Sequence, residues 1–544
     1  MPVTQTSSVK PVAQPNRPSL DAIVVGAGFA GLYMLHRLRQ LGLAARVLEA
    51  GDGVGGTWYW NRYPGARCDV LSMEYSYQFS PELQQEWEWS ERYATQPEIL
   101  RYANHVMDRF DLRREIQFNT RVRAAVFDDA SGRWTITAEN GESLTATHCV
   151  MATGCLSSAN RPQFKGLEKF SGPVYHTGDW PHAGVDFSGQ RVGIIGTGSS
   201  AIQSIPLIAE QAAHLHVFQR TASYSVPAHN GPLDPASVKS IKANYAAYRE
   251  RNWQQPFGVD FRTNPAPALS VAADDRRREY ETRWHYGSLG FLGAYGDLLV
   301  SGEANETAAE FIRDKIRTIV KDPAVAEKLV PRQVVGCKRL CLDSGYYATF
   351  NRPNVTLVDV STTPIEEITP HGLRVQDTEY TFDCLIFATG FDAMTGALEK
   401  IDIRGRGGLP LKTKWAGGPR TYLGLATAGF PNLFTITGPG SPSVLSNMLP
   451  SIEQHVNWVS ECIDYLQQRG VRTIEPTEDA ENQWVEHVNE VAHTTLYPNC
   501  NSWYLGANIP GKPRIFMPYL GVPPYVAKCK EVAARGYEGF ALTV

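Results

Sequence analysis

The chain has 544 residues, of which 43% are hydrophobic and 20% charged, with a formal net charge of −4. This is the composition of a globular chain too long for one core, and about two to four domains are expected. The near-neutral balance, without a long run of one sign, argues against nucleic acid or an anionic membrane as partner. No uninterrupted apolar run is long enough for a membrane span. The nine cysteines are scattered, with no CxxC spacing and no Cys/His group at zinc-ligand spacing. They predict free, reduced thiols in the cytoplasm and no metal site.

The first 19 residues are polar, contain proline and lack an apolar stretch, so they read as a flexible tail. Asp21 to Val25 is then a buried-strand candidate that runs into Gly26-Ala27-Gly28-Phe29-Ala30-Gly31. Leu32, Leu35 and Leu38 follow at helical spacing, Gly42 can end the helix, and a second strand, Ala45 to Leu48, leads to Glu49. Strand, glycine turn, helix, strand and acid make up a dinucleotide-binding unit. The first glycine allows the turn, the second lets backbone approach a pyrophosphate, and the third, Gly31, lets helix and strand pack closely. The helix N-terminus faces the phosphates, and Glu49 can accept both hydroxyl protons of a ribose.

The same order recurs from Arg191 to Ile195 and Gly196-Thr197-Gly198-Ser199-Ser200-Ala201, with a strand from Leu215 to Phe218 leading to Gln219 and Arg220. Gly26 to Glu49 and Gly196 to Gln219 are the same interval of 23 residues, so Gln219 stands in the place of Glu49. The carboxylate that would repel a 2′-phosphate is missing and a guanidinium lies beside the gap, which favours NADPH over NADH. Two such units in one chain suggest hydride transfer from nicotinamide to flavin.

Cys149 to Gly154 and Leu385 to Gly390 are apolar strands that each end in Ala-Thr-Gly, placed where the chain crosses between units. Between the halves of the second unit, residues 227–332 are polar and helix-rich, with Phe311, Ile312, Ile316, Ile319 and Val320 on one side of a helix from Glu310 to Val320. This insert shows no chemistry of its own. Leu433 to Thr437 is a further buried strand before Gly438-Pro439-Gly440. A long helix follows, with Ile452, Val456, Val459, Ile463 and Leu466 on one face and Gly470 as its stop. No redox cysteine pair lies near the first unit, which counts against a disulfide reductase.

Further residues carry a family resemblance. Phe170-x-Gly172-x-x-x-His176-x-x-x-Trp180-Pro181 lies between the two glycine fingerprints, and Gly55-Gly56-Thr57-Trp58, Tyr63-Pro64-Gly65 and Asp69 follow the first. Together they resemble the type I Baeyer–Villiger monooxygenases over nearly the whole chain. GPGSPSVLSNM (438–448) and NSWYLGANIPG (501–511) are most similar to the phenylacetone and steroid monooxygenase branch. The resemblance implies an α/β fold with two Rossmann-like domains and a small helical insert domain. FAD would sit on 20–155 plus 390–544, NADPH on 156–226 plus 333–389, and the insert would span 227–332. It also implies that a flavin C4a-peroxide attacks a ketone, giving an ester or lactone, with aryl, cyclic or bulky ketones as the substrate class.

By the same resemblance Arg339 is the catalytic arginine that stabilises negative charge, and Asp69 is its acidic partner. Lys338 joins Arg220 on the 2′-phosphate. Ala30, Glu49, Gly56, Thr57, Trp58, Tyr75, Val122 and Met448 are FAD contacts. Arg67, Cys68, Thr197, Gly198, Ser199, Ser200, Gln203 and Thr221 lie on the NADPH side. Trp503 belongs to a mobile loop that closes over NADP⁺ and substrate. Leu156, Ser443, Val444, Leu445 and Met448 are pocket walls, and the role of Cys155 is open. His176 and Trp180, in the linker between units, are given structural or domain-motion roles. One departure stands out: where the family has Gly-Gly-x-x-x-Tyr, this chain has Gly521-Val522-Pro523-Pro524-Tyr525, and the two prolines are expected to stiffen a loop. A small-molecule ketone and dioxygen are the expected partners, and a monomer is the favoured state. An N- or S-oxygenating flavin monooxygenase is the alternative, with a non-enzymatic nucleotide sensor behind it.

Overall fold

The computed structural model describes residues 20–517 and 521–544, so the tail expected over residues 1–19 lies outside the described residues. Two sheets, one mixed and one parallel, organise the chain. The first runs in the order Asp402–Arg404, Val122–Asp128, Arg133–Ala138, Ser143–Met151, Leu20–Val25, Ala45–Leu48, Ile116–Gln117, and Leu433–Thr435 also pairs with Ser143–Met151. Val122–Asp128, Arg133–Ala138 and Ser143–Met151 pair antiparallel, and the remaining pairs are parallel. The second sheet is parallel throughout: Val355–Asp359, His214–Gln219, Arg191–Ile195, Cys384–Phe387, Val174–His176. The helix Ser199–Gln211 covers one face, and the other packs against a small antiparallel sheet of Glu367–Thr369, Gly372–Val375 and Thr378–Thr381, through Ile368, Leu373 and Val375.

The repeat read from the sequence extends to register. Val25 is flanked by Leu48 and Met151, and Ile195 by Phe218 and Phe387. One residue further on, Gly26 therefore lies between Glu49 and Ala152, and Gly196 between Gln219 and Ala388. Each Ala-Thr-Gly segment has a steric purpose. The carbonyl oxygen of Ala152 lies 2.7 Å from where a Cβ on Gly26 would stand, and Ala388 occupies the same position against Gly196. Both glycines have positive φ, 102° and 115°, so a side chain is excluded by conformation as well as by space.

The helix Phe29–Gln40 follows the first glycine turn, and Leu32, Leu35 and Leu38 on it are fully buried. At about 1.5–3 kcal/mol per buried leucine, this stripe rather than propensity holds the helix on its sheet. On its other side it meets the helix Met448–Gln468, where Tyr33 Oη donates to Asn457 Oδ1 at 2.7 Å. Ser199–Gln211 is the matching helix of the second unit, with Ala201 fully buried where the first unit has Gly31.

Three expectations need correction. The insert is helical, with Pro235–Ala243, Tyr245–Trp253, Ala273–Tyr286, Gly302–Ile319 and Pro323–Leu329, but its apolar residues do not form a core of their own. Tyr245, Tyr248 and Val259 join the core of the first sheet, whereas Tyr280, Phe291, Phe311 and Ile312 join that of the second. Its polar outer faces gave the impression of independence. Second, Pro523 and Pro524 do not stiffen a loop: they lie in the first turn of the helix Val522–Ala534, where backbone N–H groups have no intrahelical partner to lose. Third, the cysteines are not all free. Cys337 and Cys500 form a disulfide with Cα atoms 5.6 Å apart, while Cys68, Cys149, Cys155, Cys341, Cys384, Cys462 and Cys529 are free and buried. The bonded residues are 163 positions apart, so no local spacing rule could reveal them.

Candidate active site

The first cradle is made of backbone. Gly26 and Gly28 form the turn, Ala30 and Gly31 lie in the first turn of the helix Phe29–Gln40, and Gly56 comes over them from the following segment. A Cβ on Gly56 would stand 2.9 Å from Gly28 Cα, so the two backbones meet with nothing between them. Glu49 is buried, and its carboxylate accepts from Ala27 N at 2.6 Å and Gly51 N at 2.8 Å. Burial raises its pKa and these N–H groups oppose the rise. The carboxylate is thus fixed at the strand end with lone pairs to spare for ribose hydroxyls. Thr57 is exposed, whereas Trp58 and Tyr75 are buried and joined by Trp58 Nε1 donating to Tyr75 Oη at 3.1 Å. Val122 is buried at the start of its strand. Met448 opens the helix Met448–Gln468, whose N-cap Asn447 accepts from Leu449 N at 3.4 Å.

The second cradle is more open. No atom lies within 4 Å of a Cβ placed on Gly198, and Ser199 and Ser200 follow as the first residues of the helix Ser199–Gln211. Thr197 Oγ1 donates to Thr221 O at 2.8 Å, which ties the turn to the segment after Arg220. Ser199 Oγ lies 3.2 Å from Cys341 Sγ. Arg220 is exposed and Lys338 half-buried. Burial, then the charge of Arg220, push the Lys338 pKa down. Two cations placed to repel each other gain from an anion set between them. Gln219 faces away: its Nε2 donates to Lys328 O at 2.6 Å. It leaves the position uncharged without reaching towards a ribose.

Between the cradles, Gln203 joins the two units. Its Oε1 accepts from Tyr63 Oη at 2.9 Å and Arg67 N at 3.4 Å, and its Nε2 donates to Arg67 O at 3.1 Å. Arg67 also pairs with Glu91 at 3.3 Å. Cys68 is buried, with its Sγ 3.4 Å from Val70 N. Both Gln203 and Arg67 were expected on the nucleotide side; in this structure their amide groups also bond to each other across the two units.

Arg339 and Asp69, separated by 270 residues, form a two-point ion pair. Nη2 donates to Oδ1 at 2.7 Å, Nε donates to Oδ2, and Nη1 donates to Val444 O at 3.0 Å. The guanidinium is held in plane and orientation, which only arginine's fork permits. Burial pulls the Arg339 pKa down, but the charge and hydrogen bonds of Asp69 outweigh this and hold it above the ordinary value. Tyr504 lies against the guanidinium, and Trp503 packs on Tyr504 with ring centroids 4.3 Å apart. Leu156, Val444, Leu445, Met448 and Trp503 belong to one apolar cluster with Cys155, which Ser443 adjoins. The arrangement places a permanent cation at the edge of an apolar wall.

Several supporting residues escaped the sequence reading. Glu74, beside Tyr75, is buried and accepts from Tyr248 Oη at 2.7 Å, while its backbone carbonyl accepts from Arg249 Nη1 at 2.7 Å and Asn447 Nδ2 at 2.9 Å. The insert, in which no chemistry was seen, thus clamps the start of the helix Met448–Gln468. Glu453 on that helix accepts from Gln78 N at 2.8 Å and Phe79 N at 2.9 Å. Burial pushes both carboxyls up to about 7. His455 accepts from Thr437 N at Nδ1, so its Nε2 carries the proton and donates to Tyr525 Oη at 2.9 Å; Tyr525 in turn donates to Leu423 O. Burial pushes His455 down to about 3, so it stays neutral. His176 is likewise buried; its Nδ1 accepts from Gly178 N at 2.9 Å and its Nε2 lies 3.1 Å from Asn160 O. Trp180 packs near Phe187 in the core of the second sheet. Among the described residues, no group of three or more His, Cys, Asp or Glu could hold a metal ion, and no helix is long and apolar enough to cross a membrane.

The chain is similar to known proteins over nearly its whole length. The family model described as pyridine nucleotide-disulphide oxidoreductase matches residues 23–251. A Baeyer-Villiger monooxygenase from Pseudooceanicola batsensis is 44% identical over 98% of this chain and 97% of its own. The phenazine N-monooxygenase PhzNO1 of Lysobacter antibioticus is 43% identical over 97% and 98%. Among solved structures, oxidized steroid monooxygenase bound to NADP is 54% identical, with a TM-score of 0.92 over 97% of this chain and 100% of its own. OTEMO in complex with FAD and NADP is 40% identical, with a TM-score of 0.93 over 96% and 99%.

Proposed function

The chain belongs to the Baeyer–Villiger monooxygenases, FAD- and NADPH-dependent enzymes, and from that premise we propose that Arg339 is its catalytic cation and that aryl, cyclic or bulky ketones are its substrates. The observation that carries the proposal is the Arg339–Asp69 pair, fixed at an apolar wall between two dinucleotide cradles. Gly26, Gly28, Gly56 and Glu49 would hold the FAD diphosphate and ribose, and Trp58, Tyr75, Val122 and Met448 would surround the rest of the molecule. Gly196, Thr197, Gly198, Ser199 and Ser200 would hold the NADPH diphosphate, with Arg220 and Lys338 on its 2′-phosphate, Thr221 alongside, and Arg67, Cys68 and Gln203 also on the nucleotide side. The chemistry that bound, reduced FAD would supply there is activation of dioxygen for transfer to a ketone carbonyl.

The residues of the chain set the conditions for that step. Arg339 cannot release its proton near neutral pH, so it presents a constant positive charge to an oxyanion developing on the ketone. Asp69 and Val444 fix where that charge stands. The apolar cluster excludes water, which strengthens the interaction and removes the competing nucleophile. Trp503 and Tyr504 close one side. The proposal includes FAD on 20–155 plus 390–544 and NADPH on 156–226 plus 333–389, with 227–332 a helical insert whose apolar residues are shared between the two cores, in a cytoplasmic, monomeric protein.

The test is NADPH consumption by purified holoenzyme over a ketone panel, with product identification. Esters or lactones are expected, and an Arg339→Ala variant should form them about 100-fold more slowly or worse while still binding FAD. Hydrogen peroxide as the sole product across the panel refutes the proposal. The similarity to a phenazine N-monooxygenase favours a second reading, N-oxygenation of a nitrogen heteroaromatic. A heteroaromatic N-oxide formed without any ketone oxidation would establish that reading instead.

A further inference from the structure

We propose that the Cys337–Cys500 bridge is a positioning element of the oxidation site, fastening the foot of the Trp503–Leu505 turn to the segment that carries Lys338 and Arg339. Cys337 immediately precedes Lys338, and Cys500 comes three residues before Trp503. The bond therefore joins the turn leading into the catalytic arginine to the turn whose Tyr504 lies against that arginine. The two residues are 163 positions apart and meet in the apolar cluster that also holds Tyr504 and Leu505.

The far end of the same segment is held without covalent bonds. Asn508 Nδ2 donates to Phe391 O at 2.7 Å, and Lys512 pairs with Asp392 and donates to Ala393 O at 2.8 Å. These partners directly follow the second Ala-Thr-Gly strand. Polar contacts at one end and a disulfide at the other thus clasp the segment between the two units. Opening the bond frees the near end, so Trp503 and Tyr504 can lift from Arg339 while the far end stays anchored. The site then admits water, and the share of NADPH consumption that ends as hydrogen peroxide rises.

The redox step balances with one oxidant. Two thiols give two electrons and two protons to one molecule of hydrogen peroxide, forming the S–S bond and two molecules of water. Thiol–disulfide exchange with a dithiol reductant reverses it, the reductant ending as its own disulfide. Both cysteines are 3% exposed, so reagents reach them when the turn lifts. Bond and turn are therefore linked in both directions: a lifted turn exposes the bond, and a closed bond keeps the turn down.

The inference rests on the placement of Arg339 and Trp503 at the site, and the test separates the two. Holoenzyme is exposed to hydrogen peroxide or to dithiothreitol, alkylated, and mapped by mass spectrometry for a cross-link between residues 337 and 500. In parallel, NADPH consumption, ketone product and hydrogen peroxide are measured, and the segment 501–517 is probed by limited proteolysis. The bridged form should resist cleavage there. The reduced form should be cut faster, release a severalfold larger share of turnover as hydrogen peroxide and show a raised KM for NADPH with kcat little changed. Cys337→Ser and Cys500→Ser should each behave as the reduced form under both treatments. Free thiols at both positions after peroxide treatment would overturn the inference. So would a bond whose loss alters neither coupling, KM nor cleavage. If no ketone is oxidised in any state the function assignment fails, while mapping and proteolysis still decide whether the bond fastens the turn.

Discussion

Arg220 and Lys338 lie 118 positions apart in the sequence, yet the charge of one depresses the pKa of the other. The absence of a carboxylate at Gln219 and the presence of Arg220 were legible from the interval shared with Glu49. That Gln219 turns its amide to Lys328 was not, because the partner comes from the insert. A 2′-phosphate relieves the repulsion between the two cations, so NADPH should be preferred over NADH by at least about tenfold in kcat/KM, or about 1.4 kcal/mol. Arg220→Ala and Lys338→Ala should each raise the KM for NADPH and leave that for NADH nearly unchanged. Equal efficiency with the two nucleotides in the parent enzyme would refute both assignments. The pairing of Arg339 with Asp69 is a different matter. The resemblance named both residues, but the carbonyl of Val444 and the ring of Tyr504, which complete the setting, are visible only once distant segments are folded together.

At the scale of elements, the helix Met448–Gln468 shows how burial governs ionisation. Its apolar face was readable from periodicity, but Glu453, Ser451 and His455 lie buried among those apolar residues. A carboxyl there accepts two backbone N–H bonds and is still pushed up to about 7, from 4.5, because desolvation exceeds what those bonds return. The folded state therefore holds the proton more tightly than the unfolded chain. The resulting stabilisation is fully present below pH 4.5 and is lost as the pH rises through about 7. Glu453→Gln keeps the acceptor oxygen and removes the charge. Across that window the parent enzyme should lose stability relative to the variant, by up to about 3 kcal/mol, and denaturant melts at pH 5, 6, 7 and 8 would measure it. Parallel curves for the two proteins would show that Glu453 is not the group concerned. Glu74, raised by the same cause, contributes in the same direction.

At the scale of the molecule, the two units meet through a polar contact. Gln203 makes three of its hydrogen bonds there, two to Arg67 and one to Tyr63. At about 0.5–1.5 kcal/mol net for each bond, the contact orients the units without locking them. Gln203→Ala should therefore cost modest stability and raise the KM for NADPH severalfold, since both units contribute to the nucleotide site; titration of NADPH turnover reads this, and an unchanged KM would place Gln203 outside the site. The insert contributes to the same rigidity. It was expected as a small separate domain, but its aromatic residues are divided between the cores of the two units. Such a division leaves no trace in a one-dimensional pattern, because both halves look like ordinary amphipathic helices.

By itself the sequence determined whatever depends on neighbours along the chain: two strand–glycine–helix units, the acid in one and its absence in the other, and the motif set that names the family. Local backbone sterics and the 3.6-residue period impose those features, so they survive in one dimension. The tertiary structure decided the rest. It paired Cys337 with Cys500, set Ala152 and Ala388 against the first glycine of each unit, turned Pro523 and Pro524 into a helix start, and closed Arg339 onto Asp69. Each of these depends on which distant backbone comes to occupy a given point in space, and that is settled by the packing of whole sheets and helices rather than by local preference.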